Sequence, residues 1–82
     1  MSLYIYMARE IDKKFGVFVR EFRRTKSLTQ EELASQAGID RSFQGRIERG
    51  EVGVSLVMAE NIAQAFGFTL GQLLSLLENG SI

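Results

Sequence analysis

Apolar residues recur along this chain at helical spacing. Phe15, Phe18, Val19 and Phe22 stand at i, i+3, i+4 and i+7, the apolar face of a helix over about Asp12 to Lys26 whose start can reach back to Ala8. Thr29-Gln30-Glu31-Glu32 then has the makings of a capping box, with a hydroxyl to take the Glu32 amide and a carboxylate to return to Thr29. Leu33, Ala34 and Ala37 form the inner face of that second helix, and Gly38 ends it where left-handed backbone suits. Asp40 caps a third helix that stops at Gly50. Ser55 caps a fourth, running to Phe66 before Gly67, with Leu56, Ala59, Ile62, Ala63 and Phe66 turned inward. The fifth is capped by Thr69, ends near Asn79-Gly80 and carries Leu70, Leu73, Leu74 and Leu77 on one stripe. No segment alternates at the period of a strand. The pattern predicts an all-α, five-helix domain, with residues 1–11 as an N-terminal arm, 12–78 as the domain and 79–82 as a tail.

The second and third helices form the informative window. Only a tight turn around Gly38 separates them, Ala34 is small where they would cross, and Leu33, Ala37, Ile39 and Ile47 supply apolar contacts beneath. That is the layout of a helix-turn-helix. At about 100° per residue, Phe43 and Ile47 fall within about 40° of each other and mark the third helix's buried side. On the same count Arg41, Ser42, Gly45, Arg46 and Arg49 share an arc of about 140° on the other side, with no acid among them. Arginine can donate two hydrogen bonds to guanine O6 and N7, and serine can serve several base edges. Gly45 removes a side chain from mid-arc, which would let a sugar or base come close. The amides at Thr29 and Gln30, at the positive end of the second helix, suit a phosphate oxygen.

Composition narrows the chemistry. The chain has 82 residues, enough for one domain, and no cysteine or histidine, so disulfides and the usual zinc sites are excluded and the commonest general base is absent. An enzyme, a metal and a cofactor are therefore not expected, nor is a small-molecule effector evident. No apolar run approaches the roughly 18 residues that span a bilayer, so no membrane is expected, and the lack of cysteine fits a reducing cytoplasm. The formal net charge is zero, which counts against nucleic-acid binding, but its distribution softens the objection. All ten Lys and Arg lie between Arg9 and Arg49, giving residues 1–49 a charge of +3, whereas residues 50–82 hold only Glu51, Glu60 and Glu78. A basic front and an acidic back can orient a protein toward a polyanion.

The stretches SLTQEELASQAGIDRSFQGRIERGE and SLVMAENIAQAFGFTLGQLL resemble the lambda-repressor-like, or Xre-type, helix-turn-helix family, over about Phe15 to Leu77. The resemblance implies a five-helix DNA-binding domain, usually dimeric, acting as a transcriptional regulator. By position, Arg41, Ser42 and Arg46 match the family's base-reading sites, and Thr29, Gln30 and Arg49 match places that touch phosphate. Arg23 and Glu48 match a structural ion pair. Two residues depart from the family pattern. Gln44 replaces an aliphatic residue that faces the core, and is expected to reach the rim or be held by the backbone, since a buried amide without partners is costly. Val54 replaces a proline before the fourth helix.

One helix reads few base pairs, so the expected partner besides double-stranded DNA is a second copy of the chain. Their reading helices would lie about 34 Å apart on a roughly palindromic site. The fifth helix is the expected dimer element, through Leu73, Leu76 and Leu77, with Phe68 and the Leu3–Met7 arm as further contributors. Small regulators of the family include restriction–modification controllers, phage repressors and Cro-like proteins, and antitoxins, and of these the chain resembles the controllers best, while the adjacent genes would choose among them. The alternative is a protein–protein adaptor that uses the fold without reading bases, and steep salt dependence separates the two.

Overall fold

Each helix begins where a side chain can satisfy the orphan amides of its first turn. The computed structural model describes residues 9–80 and contains α1 Glu10–Thr25, α2 Gln30–Ala37, α3 Arg41–Glu48, α4 Leu56–Ala65 and α5 Leu70–Asn79. Thr29 and Thr69 close capping boxes with Glu32 and Gln72, Asp40 accepts from the amides of Ser42 and Phe43, and Ser55 accepts from that of Met58. Helix α1 starts ahead of Asp12 because the Arg9 amide donates to Asp12 Oδ2 at 3.1 Å, so residues 10 and 11 are helical rather than part of an arm. Gly38 adopts φ +68°, and the Ile39 amide then donates to the Ala34 carbonyl at 2.8 Å, which sets the tight turn between α2 and α3.

The helices close around one core. Helix α1 packs against α3 and α5, α2 against α3 and α4, and α4 against α5. Val19, Leu33, Ile62 and Leu73 are fully enclosed at the centre, and the Phe22 ring meets Phe66 edge-on, with centroids 4.9 Å apart. Leu33, Ala34 and Ala37 are buried as the pattern requires.

Two inward expectations and one outward expectation need correction. Leu56 is 75% exposed, because it opens the first turn of α4 and that helix meets the core only from Ala59 onward. Leu74 is also exposed. Leu73 and Leu77, expected at a dimer face, are buried inside the protomer, because α5 lies against both α4 and α1 and those helices cover the stripe. Leu76 is half-buried against the same core, as is Phe68. The Leu3–Met7 arm lies outside the described residues. Among those described, no helix is long and apolar enough to cross a membrane.

Candidate nucleic-acid interface

The position of α3 is fixed first by close backbone approach. A Cβ on Gly16 of α1 would collide with the Ile47 carbonyl oxygen and lie 2.8 Å from that of Glu48, so only glycine lets α1 cross the end of α3 at this depth. Just past α3, Gly50 has φ +72° and faces the Lys13 backbone, where a Cβ would come within 2.8 Å of Lys13 Cα. Both neighbours are main chain and cannot swing aside.

A single carboxylate then ties three helices together. Glu48 Oε2 accepts from Arg23 Nε at 2.8 Å and Gln44 Nε2 at 2.9 Å, while Oε1 accepts from Arg23 Nη2 at 2.9 Å and Gln30 Nε2 at 3.0 Å. Arg23 Nη1 donates to the Leu28 carbonyl at 2.8 Å, so its whole guanidinium is engaged. Burial pushes the Glu48 carboxyl up, but the hydrogen bonds from Arg23, Gln30 and Gln44 together outweigh it and hold the group below its ordinary value. The Arg23–Glu48 ion pair expected from the sequence is thus present, with α2 joined to it through Gln30.

This network turns α3 relative to the apolar reading. Its buried residues are Gln44, Gly45, Ile47 and Glu48, while Phe43 is only half-buried. Gln44 neither reaches the rim nor leans on the backbone. It is fully enclosed, donates to Glu48, and its Oε1 has no hydrogen-bond partner among the described residues. An amide survives there because the carboxylate needs a fourth donor.

The opposite face of α3 presents Arg41, Ser42, Arg46 and Arg49, all exposed. Gly45 lies beneath them and is not open to an approaching backbone. A Cβ there would meet Arg49 Nη1 at 3.1 Å, Arg41 Nη1 at 3.7 Å and Gln30 Oε1 at 3.9 Å, so flexible side-chain ends roof the glycine. Arg46 Cζ stands 6.0 Å from the Phe43 ring centroid, within cation–π range. Glu51 completes the ridge. The turn at Gly50, with the Glu51 amide donating to the Arg46 carbonyl at 3.0 Å, folds it back over the last turn of α3. There its Oε2 takes Arg49 Nε at 2.8 Å, its Oε1 takes Arg49 Nη2 at 3.3 Å, and Oε1 lies 3.8 Å from Arg46 Nε. The hydrogen bond from Arg49 draws the Glu51 carboxyl down, and Glu51 in turn raises the Arg49 guanidinium. Counting positions on α3 misses this acid because it lies beyond the helix, although a glycine-ended helix followed at once by Glu was a usable signal.

Thr29 is exposed at the start of α2, beside Gln30. Gln30 is half-buried and has given one amide hydrogen to Glu48, leaving its second for another acceptor. Among the described residues no cluster of acids could hold a metal ion. The arrangement is thus a rigid cationic edge, built to meet an anion or a row of hydrogen-bond acceptors.

The family profile described as a helix-turn-helix domain matches residues 14–81. The chain is 39% identical over 70 residues to control protein C.MunI of a Mycoplasma species, a match covering 84% of this chain and 95% of that one. It is 37% identical over 76 residues to control protein C.BamHI of Bacillus amyloliquefaciens, covering 92% and 94% respectively. The crystal structure of the restriction–modification controller protein C.AhdI from Aeromonas hydrophila superposes with a TM-score of 0.71 at 44% identity, over 76% of this chain and 94% of that one.

Proposed function

The chain belongs to the helix-turn-helix domain family, and from that premise we propose that it is a sequence-specific regulator of transcription that lays α3 in the major groove of duplex DNA. One observation carries the reading. Arg41, Ser42, Arg46 and Arg49 stand exposed on one face of a helix whose other face is locked to α1 and α2 by the buried Glu48 carboxylate. A reading helix must present its donors in a fixed register, because each base edge offers acceptors at set positions. Arg41, Ser42 and Arg46 are assigned to base edges, and Thr29, Gln30 and Arg49 to the flanking phosphates.

The controller proteins among its relatives favour the restriction–modification type of regulator, acting by occupying a promoter without performing chemistry. The proposed unit is a homodimer on a roughly palindromic operator. With Leu73 and Leu77 committed to the core, exposed Leu74 and half-buried Leu76 are what α5 offers a partner.

Selection of binding sites from random duplexes, followed by sedimentation of the complex, tests all of this together. A recovered inverted repeat bound by two chains, with affinity falling steeply as salt rises, is the expected result. Recovery of no motif, with binding to a protein partner that survives Arg46→Ala, would establish the adaptor in its place.

A further inference from the structure

Glu51 is the one acid that touches the arginines of the α3 ridge among the described residues, and it has no other ion-pair partner there. The Arg49–Glu51 fork is about half exposed on both sides. Exposed ion pairs of this kind contribute little to folding. The pair does, however, place a carboxylate on the same guanidinium edge that a phosphate would take, since both anions offer two oxygens to a side-on fork.

We propose that Glu51 is a specificity-determining residue, a built-in counter-ion that opposes phosphate-only binding while leaving base contact possible. The inference rests on the reading of the ridge as a DNA surface. Glu51 engages the Nε and Nη2 of Arg49 and stands beside the Nε of Arg46. The Arg46 side chain makes no hydrogen bond among the described residues, so its Nη1 and Nη2 remain to address a pair of base acceptors without displacing Glu51. On a cognate duplex the carboxylate stays on the Nε and Nη2 of Arg49, whose Nη1 is left for the flanking phosphate while Arg46 meets the bases. On an unrelated duplex the arginines have only phosphates to bind. Arg49 must then give up Glu51, whose charge is left facing the backbone. Glu51 is a positioning residue that acts through Arg46 and Arg49.

The test compares the full-length chain with Glu51→Gln on the selected operator and on a random duplex of equal length, across a salt series. Each phosphate newly neutralised multiplies the binding constant by about the salt concentration to the power −0.9. Glu51→Gln should therefore tighten random-duplex binding roughly 5- to 10-fold near 0.1 M salt and steepen that salt slope by about 0.9. Operator affinity should shift by less than about twofold, because the phosphate count of that complex is unchanged. The nitrogen-bound Nε proton of Arg49, followed by NMR, should be protected from exchange in the parent both free and on the operator, and lose protection on the random duplex. Glu78→Gln removes an equal charge from α5 and should leave the ratio of the two affinities unchanged. Equal tightening on both duplexes, or none, would overturn the counter-ion role while leaving DNA reading intact. Failure of the parent to prefer any duplex would remove both.

Discussion

Two arginine–glutamate pairs sit on opposite sides of α3, and they have nearly the same geometry. Arg23 meets Glu48 and Arg49 meets Glu51 through side-on forks, each with a closest approach of 2.8 Å. What differs is the surroundings. The Glu48 side chain is fully enclosed and collects two further donors from Gln30 and Gln44, whereas Glu51 is half in water and has only arginines beside it. A carboxylate buried with four donors is a structural fixture, because removing it strands a charge away from water. A carboxylate in water is exchangeable, because solvent or another anion can replace it at little cost. One fork holds the helix and the other tunes what the helix meets, which is why the sharpest experiments act on one side of α3 and watch the other.

The largest effect is expected from Glu48→Ala. It leaves Arg23 largely enclosed without its anion and should cost about 3–5 kcal/mol, read as a lowered denaturation midpoint. A shift within a few tenths of a kcal/mol would mean that the network does not hold the fold. Gly16→Ala comes next. It pushes a methyl into the α3 backbone and should cost about 1–3 kcal/mol, as overpacking does. The same unfolding experiment checks it, and an unchanged midpoint would show that α1 and α3 can part without penalty. Arg46→Ala reverses the pattern, with an unchanged melting curve but about 1–3 kcal/mol lost in operator binding and relaxed choice at one base pair. Loss of stability in that variant would place Arg46 with the inner pair.

Acid attacks the buried pair more gently. The folded-state Glu48 value is depressed, so its contribution is fully present above the unfolded value of about 4.3 and declines as pH falls through the lower folded value. Thermal melts between pH 7 and pH 2 should show that decline, and Glu48→Gln should flatten it. If the variant declined as steeply as the parent, other carboxylates would be responsible. The smallest effect belongs to Glu21→Ala, which breaks only the exposed Arg24–Glu21 contact at 3.5 Å and should stay below about 0.5 kcal/mol. A larger loss would blur the distinction between enclosed and exposed pairs.

Much of this architecture was legible along the chain. The capping boxes at Thr29 and Thr69, the caps at Asp40 and Ser55 and the turn at Gly38 all lie where local chemistry puts them, since a cap is decided within four residues. The outward placement of Arg41, Ser42, Arg46 and Arg49 followed from the helical period. The inner face of α3 did not, because Phe43, expected to mark it, is only half-buried, and Gln44, expected at the rim or held by the backbone, is enclosed against a carboxylate. Nor did the role of Leu73 and Leu77, since an apolar stripe reads the same whether its own helices or a second chain covers it.

By itself, then, the sequence determined five helices, the caps of the last four, the tight turn between the second and third, and a cationic edge free of acids within α3. Only the tertiary structure decided that Gln44 and Glu48 are core, that Gly16 is a point of main-chain contact, and that Glu51 folds back onto the arginines. The reason is range. Caps and periods are settled among neighbours, whereas the partners of Glu48 lie as many as 25 residues away, and a polar group looks like surface until a distant donor arrives to bury it.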